Sequence, residues 1–168
     1  MQLYDFDTTT SHEHRLPINV LSGYVQVDRN TVLIVGRLVR KLDLLTLQTT
    51  PLTSLLTPRD YVGVAQMGNR VFAFGEYKDS GPSTICEYLC EQSSAWTQLP
   101  PMHNARCWFT PCPFKALLYL TSTYANDRAV ESYSPHTETF TVLFVSPPAQ
   151  LQLTCGSVRE QIRIHEVD

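Results

Sequence analysis

The side chains best able to do chemistry in this chain are its cysteines and histidines, and their spacing decides what they could hold. Cys86 and Cys90 stand four residues apart. On a strand that spacing puts both on one face but about 13 Å apart, at about 3.3 Å per residue, too far for two ligands of one zinc ion. Cys107 and Cys112 flank Pro111, and neither pair has the C-x-x-C spacing of a zinc knuckle. Ordinary buried thiols are expected. His12 and His14 share a strand face with Glu13 between them, but no third ligand stands in register, so exposed edge-strand histidines are expected there too. A nucleophile elbow, a phosphate-cradling glycine loop and an acidic dyad are absent, and the seven glycines are dispersed singly. The sequence therefore predicts no catalytic residue, no metal and no cofactor.

Aromatic residues offer a different chemistry. Tyr88, Trp96, Tyr133 and Phe140 could stack on bases or sugars, yet they fall at matching points of successive segments, which favours wedges in a core.

The segments that must position these residues are strands. Pro58-Arg59-Asp60-Tyr61-Val62-Gly63-Val64 is rich in β-branched and aromatic residues and ends near a turn at Gly68-Asn69. Val71-Phe72-Ala73-Phe74 is apolar on both faces and stops at Gly75, the pattern of a central strand covered above and below. After a polar loop over 76–84, Ile85 to Leu89 and Trp96 to Leu99 complete four strands of similar length. The order recurs downstream in Arg106 to Phe109, Leu117 to Leu120, Val130 to Tyr133 and Phe140 to Leu143, and upstream in Gly23 to Val27, Val32 to Gly36 and Leu42 to Thr46. Glu87 lies nine residues before Trp96, and Glu131 nine before Phe140; Gly36 and Gly75 are 39 apart. A single four-stranded meander cannot bury Phe72, Phe74, Tyr88 and Trp96 alone, so copies must pack on each other.

The order Arg, apolar run ending in Gly, Tyr, then Trp96-Thr97-Gln98-Leu99-Pro100-Pro101-Met102 resembles the kelch repeat, one blade of a β-propeller. The resemblance spans nearly the whole chain, with 58–102 its best copy. Where kelch units usually carry a double glycine, this chain has Gly36-Arg37, Gly75-Glu76, Thr121-Ser122 and Cys155-Gly156-Ser157. The expected fold is all-β, a partial kelch-like propeller of three to four four-stranded antiparallel blades. Its units are the end of a blade over 1–16, blades over 17–57, 58–102 and 103–148, and a partial blade over 149–168.

Composition narrows the partners. The chain has 168 residues, 43% hydrophobic and 17% charged, within the soluble globular range. Its net charge is −3 and its basic residues are scattered, which argues against a nucleic-acid groove or a membrane-binding face. The first residues contain no long apolar run, and five cysteines, an odd number, agree with a reducing compartment, so a cytoplasmic location is expected.

The loops between second and third strands vary from copy to copy and gather at one end of a propeller. They carry Arg37, Arg40, Lys41, Tyr77, Lys78, Tyr124, Asn126, Arg128 and Arg159, rich in the Tyr and Arg that dominate binding hot spots. The resemblance implies a non-catalytic scaffold or substrate-recognition module, with these cations meeting an acidic peptide or protein segment and the tyrosines packing beside them. Some kelch-like propellers are copper oxidases or sugar epimerases; His103, Tyr133 and His136 are the loose candidates for that alternative. An open arc would leave Leu3, Phe6, Ile162 and Ile164 uncovered and favour self-association; closure of a ring by His12 to Leu16 is the other outcome.

Overall fold

The computed structural model describes residues 2–4, 11–13, 21–90, 92–121, 129–145, 150–156 and 161–167, with side chains over 21–90, 92–121 and 129–143. Every regular element among them is a strand. β1 (Gln2–Tyr4) and β2 (Ser11–Glu13) form a two-stranded hairpin. β3 (Gly23–Asp28), β4 (Thr31–Val35), β5 (Arg40–Asp43) and β6 (Thr49–Pro51) make a four-stranded antiparallel meander. β7 (Gly63–Met67) and β8 (Arg70–Phe74) open the second unit. The small ribbon of β9 (Tyr77–Lys78) and β10 (Gly81–Pro82) interrupts it, and β11 (Cys86–Cys90) and β12 (Ala95–Gln98) complete a second meander. β13 (Cys112–Phe114), β14 (Leu117–Leu120), β15 (Ala129–Ser134) and β16 (Thr139–Val145) make the third, and β17 (Gln150–Gly156) and β18 (Gln161–Val167) pair as a hairpin. The all-β architecture is as expected. Among the described residues no helix is long and apolar enough to cross a membrane.

β8 shows how the units hold together. Val71, Phe72, Ala73 and Phe74 are fully buried, and successive side chains point to opposite faces of the sheet. Val71 and Ala73 join Leu33, Val35, Leu55 and Trp96 in a core between the first and second sheets. Phe72 and Phe74 join Leu118, Leu120 and Tyr133 in a core between the second and third. Trp96 and Tyr133 are thus buried wedges between sheets, as their recurrence predicts. The first strands of the three meanders lie side by side, β7 between β3 and β13. Glycine permits this approach: a Cβ on Gly23 would fall 2.5 Å from the Val62 carbonyl oxygen, and one on Gly63 would fall 2.9 Å from the Phe109 ring.

The structure corrects several boundaries. Pro58 to Val62 and Arg106 to Phe109 are not strands; the paired segments begin only at Gly63 and Cys112. The reason is that Arg59 and Arg106 turn inward, both fully buried, and the backbone then bends, with Tyr61 at φ +58° and Trp108 at φ +55°. Arg40 and Lys41 lie on β5 rather than in a loop, opposite Ile34 and Leu33. Leu45 and Thr46 leave that strand because their N–H groups donate to the Asp43 side chain, which turns the chain. The expected strand ends at Asp5 to Asp7 and His14 to Leu16 lie outside the described residues, as do the side chains of Leu3, Phe6, Ile162 and Ile164. In the described backbone β2 pairs with β1 and β17 with β18, each in its own two-stranded sheet.

Candidate functional site

Two buried ion pairs set up one end of the sheets. Arg106 sits where the third unit begins, and its guanidinium donates to Glu131 Oε1 at 2.6 Å and to the Ala129 carbonyl at 2.6 Å. Glu131, on β15, also accepts the backbone N–H groups of His103 (3.0 Å) and Asn104 (2.8 Å) and the Asn104 side-chain amide (2.7 Å). One carboxylate therefore ties the third strand to the chain that leads into its own unit. The second unit repeats the device. Arg59 pairs with Glu87 on β11 and donates to the carbonyls of Gly75 and Ala73, while Glu87 accepts the N–H groups of Leu56 and Thr57. In the first unit Arg40 stands opposite Ile34, two residues before Gly36, as Glu87 stands opposite Ala73, two residues before Gly75. A cation thus occupies the carboxylate's place there, and among the described residues that unit shows no such pair.

These anchors fix an aromatic two residues on, Tyr61 after Arg59 and Trp108 after Arg106. The lead-ins of the three units are chained by backbone hydrogen bonds: the Tyr61 N–H donates to the Leu21 carbonyl at 2.6 Å, and the Trp108 N–H to the Tyr61 carbonyl at 3.1 Å. Trp108 stands edge-on to Tyr61, with ring centroids 4.7 Å apart, and is 59% exposed. Tyr61 in turn meets Tyr77 edge-on at 6.0 Å. Below this ledge is a cavity of about 370 Å³. It is walled by the lead-ins of all three units, 21–24, Tyr61 with Val62 and Val64, and 108–110, and closed by Thr121 at the end of β14.

Two cations described at this end are already engaged. Arg37 donates from Nε to Asp60 Oδ2 at 2.7 Å, and Lys78 lies 3.0 Å from Glu76 Oε1. Both cations are exposed and both carboxylates buried. The hydrogen bond to Asp60, and then its charge, raise the Arg37 guanidinium above its ordinary value. Burial likewise raises the Tyr24 hydroxyl on the cavity wall.

Of the residues expected to bind, the structure brings Arg37 and Tyr77 to the Asp60-Tyr61 segment and pairs Lys78 with Glu76. Arg40 and Lys41 belong to β5, and Lys41 borders a second cavity of about 290 Å³ with Val27, Leu52 and Leu89. Tyr124, Asn126, Arg128 and Arg159 lie outside the described residues. Tyr61 and Trp108 were missed, although the repeated Arg-x-aromatic spacing, Arg59-Asp60-Tyr61 and Arg106-Cys107-Trp108, is legible in the sequence. Among the residues suggested for metal or sugar chemistry, Tyr133 is fully buried, His103 directs Nε2 to the Phe140 carbonyl at 3.2 Å, and His136 is on an exposed turn. Among the described residues no three His, Cys, Asp or Glu side chains gather closely enough to share a metal ion.

No family model and no curated protein matches the chain. Among solved structures it is similar to that of YjhT, with a TM-score of 0.63 and 15% sequence identity over 81% of this chain. The match spans 54% of YjhT, about half of its length, and at that identity it is a likeness of fold.

Proposed function

We propose that the chain forms part of a kelch-like β-propeller and serves as a non-catalytic module that binds a peptide or protein segment on the end described above. The observation that carries this is Trp108. A large aromatic ring stands 59% exposed on left-handed backbone, braced edge-on by Tyr61 at the mouth of a cavity. Left-handed backbone at a bulky residue costs about 1–3 kcal/mol and persists only where surrounding contacts over-determine it. Exposed rigid aromatics of this kind anchor protein interfaces. The propeller part of the proposal is supported by three successive meanders with their first strands side by side, and by the fold likeness to YjhT. In this reading Arg37, Tyr77 and Lys78 form the rim. A cytoplasmic location belongs to the same proposal, and cell fractionation tests it.

Selection of a random peptide library on the wild-type chain tests the binding reading. Peptides so enriched should bind Trp108→Ala and Tyr77→Ala about thirtyfold more weakly or worse, since truncating a hot spot costs about 2 kcal/mol or more. Equal binding to all three, or no enrichment at all, would overturn it.

A further inference from the structure

The second cavity, of about 290 Å³, opens between the first and second sheets at the opposite end of β3 and β4 from Trp108. Its accessible lining is mostly apolar. Leu33 and Leu89 belong to the core between the two sheets, Val27 packs against that core, and Leu52 completes the floor. The Trp96 indole N–H donates to the Thr53 carbonyl at 2.9 Å and so fixes the 52–53 lip to the second sheet. Two opposite charges share the lining, Asp28 at the end of β3 and Lys41 on β5. The Asn30 N–H, at 2.8 Å, and then the Thr31 side chain hold the Asp28 carboxyl below its ordinary value, so it is ionised at neutral pH. The charge of Lys41 helps to lower both Asp28 and Asp43, yet among the described residues its ammonium forms no ion pair.

We infer that this cavity binds a free α-amino acid with a branched aliphatic side chain, its side chain on the apolar floor, its α-carboxylate toward Lys41 and its α-ammonium toward Asp28. The site is separate from the end proposed to bind a peptide and does not rest on that reading. An aliphatic side chain gains from covering Val27, Leu33, Leu52 and Leu89, where a charged one would shed its water without recompense. The charges select the head group. A lone carboxylate would meet Lys41 but also the repulsion of Asp28 and Asp43, and a lone ammonium would meet Asp28 but also the repulsion of Lys41. A zwitterion sets each pole against its opposite. The hydroxyls of Thr53 and Ser94 in the same lining are further donors for the carboxylate. The volume lies just under the roughly 300–1,000 Å³ of sites for drug-sized ligands, which suits a molecule of this size.

Saturation-transfer NMR on the full chain tests this with leucine, leucinamide, N-acetylleucine and N-acetylleucine amide at neutral pH. Leucine should bind best. Leucinamide and N-acetylleucine, each short of one charge, should bind about threefold more weakly or worse, and N-acetylleucine amide about tenfold, since one exposed ion pair is worth a factor of up to about five. Lys41→Met should abolish the preference for leucine over leucinamide, and Asp28→Asn the preference for leucine over N-acetylleucine. Thr53→Trp, which fills the cavity from an exposed position, should lose binding altogether, circular dichroism confirming the fold of each variant. No binding of leucine, equal binding of leucine and N-acetylleucine amide, preferences unchanged in Lys41→Met and Asp28→Asn, or binding that survives Thr53→Trp would each overturn the inference. Tighter binding of leucinamide or of N-acetylleucine than of leucine would overturn it as well, and would assign the cavity to the first or the last residue of a peptide, respectively.

Discussion

Glu131→Ala should be among the most destabilising single substitutions in this chain. The side chains of Glu131 and Arg106 have no exposed surface, and the carboxylate accepts hydrogen bonds from Arg106, Asn104 and the His103 backbone. Truncation leaves the guanidinium buried without a counter-charge, a situation that costs about 3–5 kcal/mol. That is a large part of the roughly 5–15 kcal/mol that holds a typical domain folded. Arg106→Met should cost less, because Glu131 keeps three donors from Asn104 and His103. The double variant Arg106→Met, Glu131→Leu should cost well below the sum of the two single losses. It removes both charges, and water replaces the carboxylate at exposed His103 and half-buried Asn104. Urea unfolding of the four proteins closes the cycle, with an expected coupling of about 2 kcal/mol or more. The pH dependence follows from the direction of the Glu131 shift. Burial by itself would raise this carboxyl, but the charge of Arg106 and the hydrogen bonds from Asn104, His103 and Arg106 bring it below its ordinary value. A carboxyl depressed in the folded state stabilises fully above its unfolded value, about 4.3, and that stability is lost as pH falls toward the folded value. The advantage of wild type over Glu131→Gln should therefore shrink below about pH 4. A cost under about 1 kcal/mol for Glu131→Ala, or strictly additive single losses, would refute the reasoning.

Two further outcomes follow from packing and from thiol chemistry. Gly63→Val places a Cβ 2.9 Å from the Phe109 ring and 3.0 Å from its carbonyl oxygen, so thermal unfolding should show a loss of about 1–3 kcal/mol from forced strand separation; an unchanged midpoint would contradict the close approach of β7 to the Phe109 segment. Burial pushes the Cys86 thiol up to about 12, whereas backbone hydrogen bonds at Gln92 and then Ser93 lower that of Cys90. Iodoacetamide on the native chain should therefore modify Cys90 before Cys86, and peptide mapping that finds the reverse order would contradict this placement.

What was legible along the chain is local. Val71 to Phe74, apolar on both faces and bounded by turn residues, identifies itself as a covered central strand because a period of two and a hydrophobic run are properties of adjacent residues. The recurrence of Trp96 and Phe140 after Glu87 and Glu131 likewise marked the repeat. The lead-ins were misjudged for a physical reason. Pro58 to Val62 has strand composition, but the energy of burying the Arg59 guanidinium against Glu87, 28 residues on, outweighs local propensity and bends the chain. Arg37 and Lys78 looked free to meet an acidic partner because the sequence does not reveal that Asp60 and Glu76 reach them.

By itself, then, the sequence determined the central strands such as Val71 to Phe74, the recurrence of a four-stranded unit and the apolar wedges between units, all read from neighbouring residues. The tertiary structure decided the site: Leu21, Tyr61 and Trp108 come from three separate units and meet only because β3, β7 and β13 pack side by side. The shape and charge of the space they enclose are set by that packing across units, which no local pattern of residues encodes.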